Sequence, residues 1–207
     1  MAAGVSPNPS IVKVFIKTAL LTRIPLWTQR VLFASGILML GYCGFVLIDT
    51  WVFQKQENAA LERFVPHALV ASPAIVGPDG LIGRIQIERL GISVILLEGT
   101  KSKTLRRAVG HIAGTALPGQ IGNVGIAGHR DTFFRPLRDV QADDIITLTT
   151  PGGEYRYRVV STKVVSPESV EVLNSDGNEL LTLVTCYPFY YLGSAPDRFV
   201  VRATRVS

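Results

Sequence analysis

Three side chains carry the chemistry available to this chain: Cys186, His129 and Arg198. Cys186 ends the apolar, strand-like run Leu181-Thr182-Leu183-Val184-Thr185, and Tyr187-Pro188 stops regular structure directly after it. Arg198 stands twelve positions later and opens a second β-rich run, Phe199-Val200-Val201-Arg202-Ala203-Thr204. Antiparallel pairing of two such runs brings the end of one beside the start of the next. A thiol and a guanidinium then flank each other across the mouth of the connecting loop. Nucleophilic chemistry there needs only a base.

The chain holds three histidines, His67, His111 and His129. His129 ends the run Gly125-Ile126-Ala127-Gly128 and precedes the polar turn Arg130-Asp131-Thr132, so it is placed to face a site rather than a core. His111 lies in Gly110-His111-Ile112-Ala113-Gly114-Thr115 and reads as a groove or folding residue, whereas His67 precedes the folded domain and carries little weight. A helix N-terminus stabilises a thiolate, but Pro188 disfavours helical geometry at Tyr187. The thiolate must therefore draw on His129 and Arg198, and a fixed guanidinium can also donate to a developing oxyanion.

Blander readings stay open at this level. Cys186 can be a small buried hydrophobe, and Arg198, sharing strand parity with Arg202, can be a solvated surface residue. Cys186, His111 and His129 would supply only three ligands to a zinc ion and lack the close pairing of zinc motifs, so no metal is expected. No acidic cluster argues for calcium.

The elements that must position these groups are mostly strands. Leu81–Leu90 alternates in part, Ser93–Leu97 is branched and apolar, and Asn123–His129 is short and glycine-rich. Ile145–Thr150, Tyr155–Val165, Leu180–Cys186 and Phe199–Thr204 follow, with Pro151-Gly152-Gly153 as a hairpin turn. Seven short, closely spaced strands predict an all-β domain, a closed barrel or sandwich, over residues 81–207. A short helix is predicted over Thr104–Ala108, with Thr104 as its cap.

The remainder of the 207 residues, of which 47% are hydrophobic, includes an apolar appendage. From Val31 to Ile48 no residue is charged, and the run continues past Asp49 through Phe53. That meets the roughly 20 residues needed to cross a bilayer core. Trp27 and Trp51 bracket the run at positions suited to two interfaces. Residues 1–30 carry Lys13, Lys17, Arg23 and Arg30 and no acid, while the other 17 basic residues nearly balance 16 acidic ones. The positive-inside rule then gives a basic cytoplasmic N-terminus (1–30), one transmembrane helix (31–53), a linker (54–80) containing a short helix near Glu57–Phe64, and an extracytoplasmic domain (81–207). A cleaved signal peptide fits less well, because the run is longer than about 7–15 residues and lacks a small-residue cleavage site. The basic excess sits beside anionic lipid, and no basic stripe with interleaved aromatics speaks for nucleic acid. Cys43 lies inside the apolar run, apart from Cys186. A lone exported thiol favours use of Cys186.

With these residues in view, 81–207 resembles the sortase family, membrane-anchored cysteine transpeptidases of the bacterial surface. The resemblance rests on Thr182-Leu183-Val184-Thr185-Cys186, on Gly128-His129-Arg130-Asp131, on Arg198, and on the approach from Gly110-His111 through Leu117-Pro118-Gly119 and Gly122-Asn123. Gly128–Arg135 and Tyr187–Tyr191 look most like the class D group. Residues 54–80 hold no Asp-Pro-aromatic triplet, which speaks against the lidded pilin-building subclass.

The resemblance implies an eight-stranded barrel with Cys186 as nucleophile, His129 as general acid and base, and Arg198 as oxyanion and substrate-orienting group. Thr185, and less directly His111, would support the substrate or oxyanion. It further implies cleavage of a Leu-Pro-X-Thr type sorting signal on a substrate protein, through a thioacyl intermediate, with transfer to a primary amine of the cell envelope and no cofactor. A thiol peptidase releasing the peptide to water, and a membrane-tethered β-domain that binds a partner without catalysis, are the alternatives.

Overall fold

The computed structural model describes residues 26–64, 73–191 and 193–206. Its contacts divide the chain at residues 46 and 47. His67 lies outside the described residues.

Up to residue 46 the described chain is helical, within α1 (Leu26–Phe64). Leu32, Phe33, Ile37, Leu38, Leu40 and Phe45 are all exposed on it. A helix apolar on every side has no polar face to give to water. Among the described residues it is the one helix long and apolar enough to cross a membrane. Regular α-helix continues through Phe64, so the first part of the stretch expected as linker belongs to α1.

From residue 47 onward the chain is built on a closed barrel. Its strands are β1 (Leu81–Ile87), β2 (Ile92–Glu98), β3 (Val109–His111), β4 (Gly122–Ala127), β5 (Ile145–Thr150), β6 (Gly153–Val165), β7 (Glu179–Tyr187) and β8 (Asp197–Val206). They close in the order β1-β2-β3-β4-β7-β8-β6-β5. Alternation decides which side chains fill it. On β6 Tyr155, Tyr157 and Val159 point inward while Glu154, Arg156 and Arg158 point out. Leu181, Leu183, Val201, Ala203, Val124 and Ile126 complete the inner face near the site.

The eighth strand is β3, which the pattern of seven did not contain. Three residues are too few for a periodic signal. Its place is set by backbone approach instead: a Cβ on Gly110 would lie 2.3 Å from the carbonyl oxygen of Gly99. The short helix α2 spans Ser102–Arg107, two residues earlier than expected, and Lys101 rather than Thr104 stands at its cap. Thr104 is internal, its carbonyl accepting the N–H of Ala108 at 3.0 Å.

The segment of α1 beyond residue 47 lies against the barrel. Asp49 pairs with Arg107, and the Gln54 side chain bridges the barrel backbone, donating to the Arg107 carbonyl and accepting the Ile95 N–H at 3.0 Å. Ile95 precedes the start of β3 pairing, so Gln54 satisfies a donor that the short strand leaves open.

Candidate active site

The parallel pair β4–β7 runs toward one end of the barrel, and β8 starts there. Cys186 and Arg198 are direct partners across the antiparallel β7–β8 pair, so their side chains share a face. Ala127 pairs with Val184, and the ladder continues through the Gly128 N–H to the Val184 carbonyl at 3.1 Å. β4 ends at Ala127, so His129 lies two residues beyond it, on the segment that leaves the strand at this end of the barrel. Cys186 and Arg198 therefore stand on neighbouring strands at one end of the barrel, with His129 on the segment that leaves β4 at that end.

Strand parity assigns the face. Leu181, Leu183, Val201 and Ala203 are core residues, so the even-numbered positions Thr182, Val184, Cys186 and Arg198 belong to the outer surface. Cys186, His129 and Arg198 are all half-buried. The Cys186 thiol is not sealed in the core, and the Arg198 guanidinium is not freely solvated. Nη1 of Arg198 donates to the carbonyls of Asp197 at 2.9 Å and Ala195 at 3.3 Å, which steadies one arm of the fork. Val165 of β6 is the other strand partner of Arg198. Glu168, just beyond, has its carboxyl held below the ordinary value, chiefly by the Ser166 hydroxyl and in smaller part by the Arg198 charge.

The connection between β6 and β7 is fastened along this outer face. Asn123 of β4 accepts the Thr182 hydroxyl at 2.8 Å, and its amide donates to the carbonyls of Val172 and Asn174 at 3.2 and 3.3 Å. The connection from β7 to β8 begins with a cis Tyr187–Pro188 peptide. Tyr187, Phe189 and Phe199 pack together beneath it, with Phe189 and Phe199 edge to face at 5.3 Å.

Two expected support residues are engaged elsewhere. Thr185 alternates to the inner side and is buried, its hydroxyl donating to the Gly128 carbonyl at 2.7 Å. It ties the residue before His129 to the residue before Cys186 and faces away from the outer surface. His111 is buried on β3, level with Ile126. Its Nδ1 lies 2.8 Å from Glu98, and its Nε2 lies 2.9 Å from the Thr115 hydroxyl and 3.0 Å from the Ala116 carbonyl. Both ring nitrogens are used in shaping the turn after β3, and Glu98 and Thr115 are partners that sequence spacing did not single out.

A family description of the sortase domain matches residues 85–206, more than half of the chain. The chain belongs to the sortase family. Sortases are cysteine transpeptidases that act on proteins bearing sorting signals and use amine acceptors. The chain is 31% identical over 188 residues to sortase D of Bacillus subtilis, covering 84% of this chain and 95% of that protein. It is 32% identical over 181 residues to sortase SrtE1 of Streptomyces coelicolor, covering 77% of this chain and 51% of the relative. Among solved structures, the Clostridium perfringens sortase D5 transpeptidase superposes with a TM-score of 0.60 at 27% identity, covering 75% of this chain and 96% of that one. Sortase A of Corynebacterium diphtheriae gives 0.58 at 35% identity over 61% of each chain.

Proposed function

We propose that this sortase cleaves a Leu-Pro-X-Thr type sorting signal after threonine, through a thioacyl bond to Cys186, and joins the acyl group to a primary amine at the cell surface. The pairing of Cys186 with Arg198, with His129 two residues beyond the end of β4, is the observation that supports this reading.

The Cys186 thiolate attacks the threonine carbonyl, and Arg198 donates to the resulting oxyanion. A guanidinium has five donors, so the two backbone bonds of Nη1 leave others for the substrate. Collapse breaks the peptide C–N bond, and His129 protonates the departing amine. The acceptor amine then attacks the thioester, His129 takes its proton, and the thiolate leaves. The thioester retains the activation of the acyl group, so the transfer needs no nucleotide. Thr185 acts in this scheme by holding Gly128, and hence His129, in register with Cys186.

The apolar part of α1 supports a single-pass membrane anchor, and the four basic residues before Val31 support a cytoplasmic N-terminus with the barrel outside. Similarity to sortase D of Bacillus subtilis supports assignment to the class D group.

The test is mass spectrometry of products from Leu-Pro-X-Thr-Gly and Leu-Pro-X-Thr-Ala peptides offered with a panel of amines. The full chain should yield an amide-linked product, and Cys186→Ala should yield none while remaining folded. Free acid alone would make the enzyme a peptidase, and turnover surviving in Cys186→Ala would refute the assignment of the nucleophile.

A further inference from the structure

The loop joining Cys186 to Arg198 carries two tyrosines outside the core. Tyr190 is 73% exposed and Tyr191 49%. Two arginines from the segment that follows His129 hold the loop. Arg130 donates from Nη1 to the Pro188 carbonyl at 3.0 Å, and from Nη2 to the carbonyls of Tyr191 at 2.7 Å and Gly193 at 3.0 Å. Its guanidinium also lies 5.9 Å from the centre of the Tyr191 ring. Arg138 donates to the Tyr190 hydroxyl and sits 5.5 Å from that ring.

We infer that Arg130 is a positioning residue: its three bonds fasten the loop after Cys186 to the turn that bears His129, and so set the width of the site. The assignment rests on the transpeptidase reading above. Arg130 follows His129 directly, and its first acceptor, Pro188, is two residues past Cys186. Movement of the loop against the histidine turn must therefore stretch the guanidinium bonds. Three carbonyls fanned around one planar fork match an arginine, whereas a lysine offers a compact charge without the fork. Arg138 grips the neighbouring tyrosine and supports the same wall from further along the segment. The Pro188 carbonyl also accepts the Tyr191 N–H at 3.3 Å, but that bond lies within the loop and does not reach the histidine turn.

The experiment compares the full chain with Arg130→Lys and Arg138→Lys, using hydrogen exchange, peptide transfer kinetics and melting temperature. In Arg130→Lys, amides between 189 and 196 should exchange about tenfold faster, the factor expected from one lost charge-assisted hydrogen bond. Exchange in β7 and β8 and the melting temperature should stay as in the wild type. The KM for the sorting peptide should rise more than kcat falls, because the wall loosens while Cys186 and His129 remain. Arg138→Lys should show the same pattern more weakly. Wild-type exchange in the loop, or exchange raised across the whole barrel with a lowered melting temperature, would overturn the clamp. Absence of Cys186-dependent transfer in the wild type would instead overturn the proposed function, and loop exchange would still decide whether Arg130 fastens the loop.

Discussion

The Thr185 hydroxyl donates to the Gly128 carbonyl at 2.7 Å, joining the chain beside Cys186 to the chain beside His129 through one buried bond. Thr185→Val keeps the shape and leaves the carbonyl without its partner. A buried acceptor stranded in this way costs about 1–3 kcal/mol. The urea midpoint should fall accordingly, and transfer should fall further because His129 is no longer held in register. Thr185→Ser should restore most of both; a serine variant as impaired as valine would show that the hydroxyl is not what matters.

Gly128 has no room for a side chain. A Cβ there would sit 2.6 Å from the ring of Phe134, which is fully buried. Gly128→Ala should destabilise the barrel by about 1–3 kcal/mol, the usual cost of overpacking. Adding Phe134→Leu should recover part of that loss. Thermal unfolding of the single and double variants measures the coupling, and strict additivity would contradict the contact.

Arg198→Lys should keep the fold and lower kcat/KM by at least about a hundredfold, as loss of an oxyanion donor typically does. Two backbone carbonyls take Nη1, so donation to the oxyanion falls to the other arms of the fork, which an ammonium lacks. Near wild-type turnover would return Arg198 to the status of a surface residue.

Asp144, buried just before β5, is bonded by Arg89, with Nη2 2.6 Å from Oδ2. Hydrogen bonding from Arg89 is the chief cause of a carboxyl pKa below its ordinary value. Folding lowers that pKa, so the stabilisation is complete above the ordinary carboxyl range, about pH 4. It is lost as pH falls through the folded value. The gap in urea midpoint between wild type and Asp144→Asn should therefore be largest near neutrality and shrink below about pH 4. A gap unchanged at pH 3 would contradict this.

Much of the candidate site was legible from residues along the chain. Strand signals ending at Cys186 and beginning at Arg198 are local, and antiparallel pairing follows from a short loop between them. The glycine-rich run into His129 is local too. The strand β3 was not legible, because Val109–His111 is specified by its neighbours in the barrel rather than by its own pattern. The orientation of Thr185 required knowing which face of β7 meets the core.

Sequence alone determined the apolar helix, the β-rich character of the domain and the identity of its one thiol, imidazole and guanidinium candidates, because hydrophobic period and residue chemistry are properties of contiguous chain. Tertiary structure decided what these groups touch. Arg130 binds carbonyls 58 to 63 residues away, and a backbone carbonyl looks the same in every residue type, so no pattern of side chains records such a partner. Gln54, Asn123 and Thr185 likewise bond distant backbone. The closing of the barrel brings those acceptors within reach, and only there does composition become geometry.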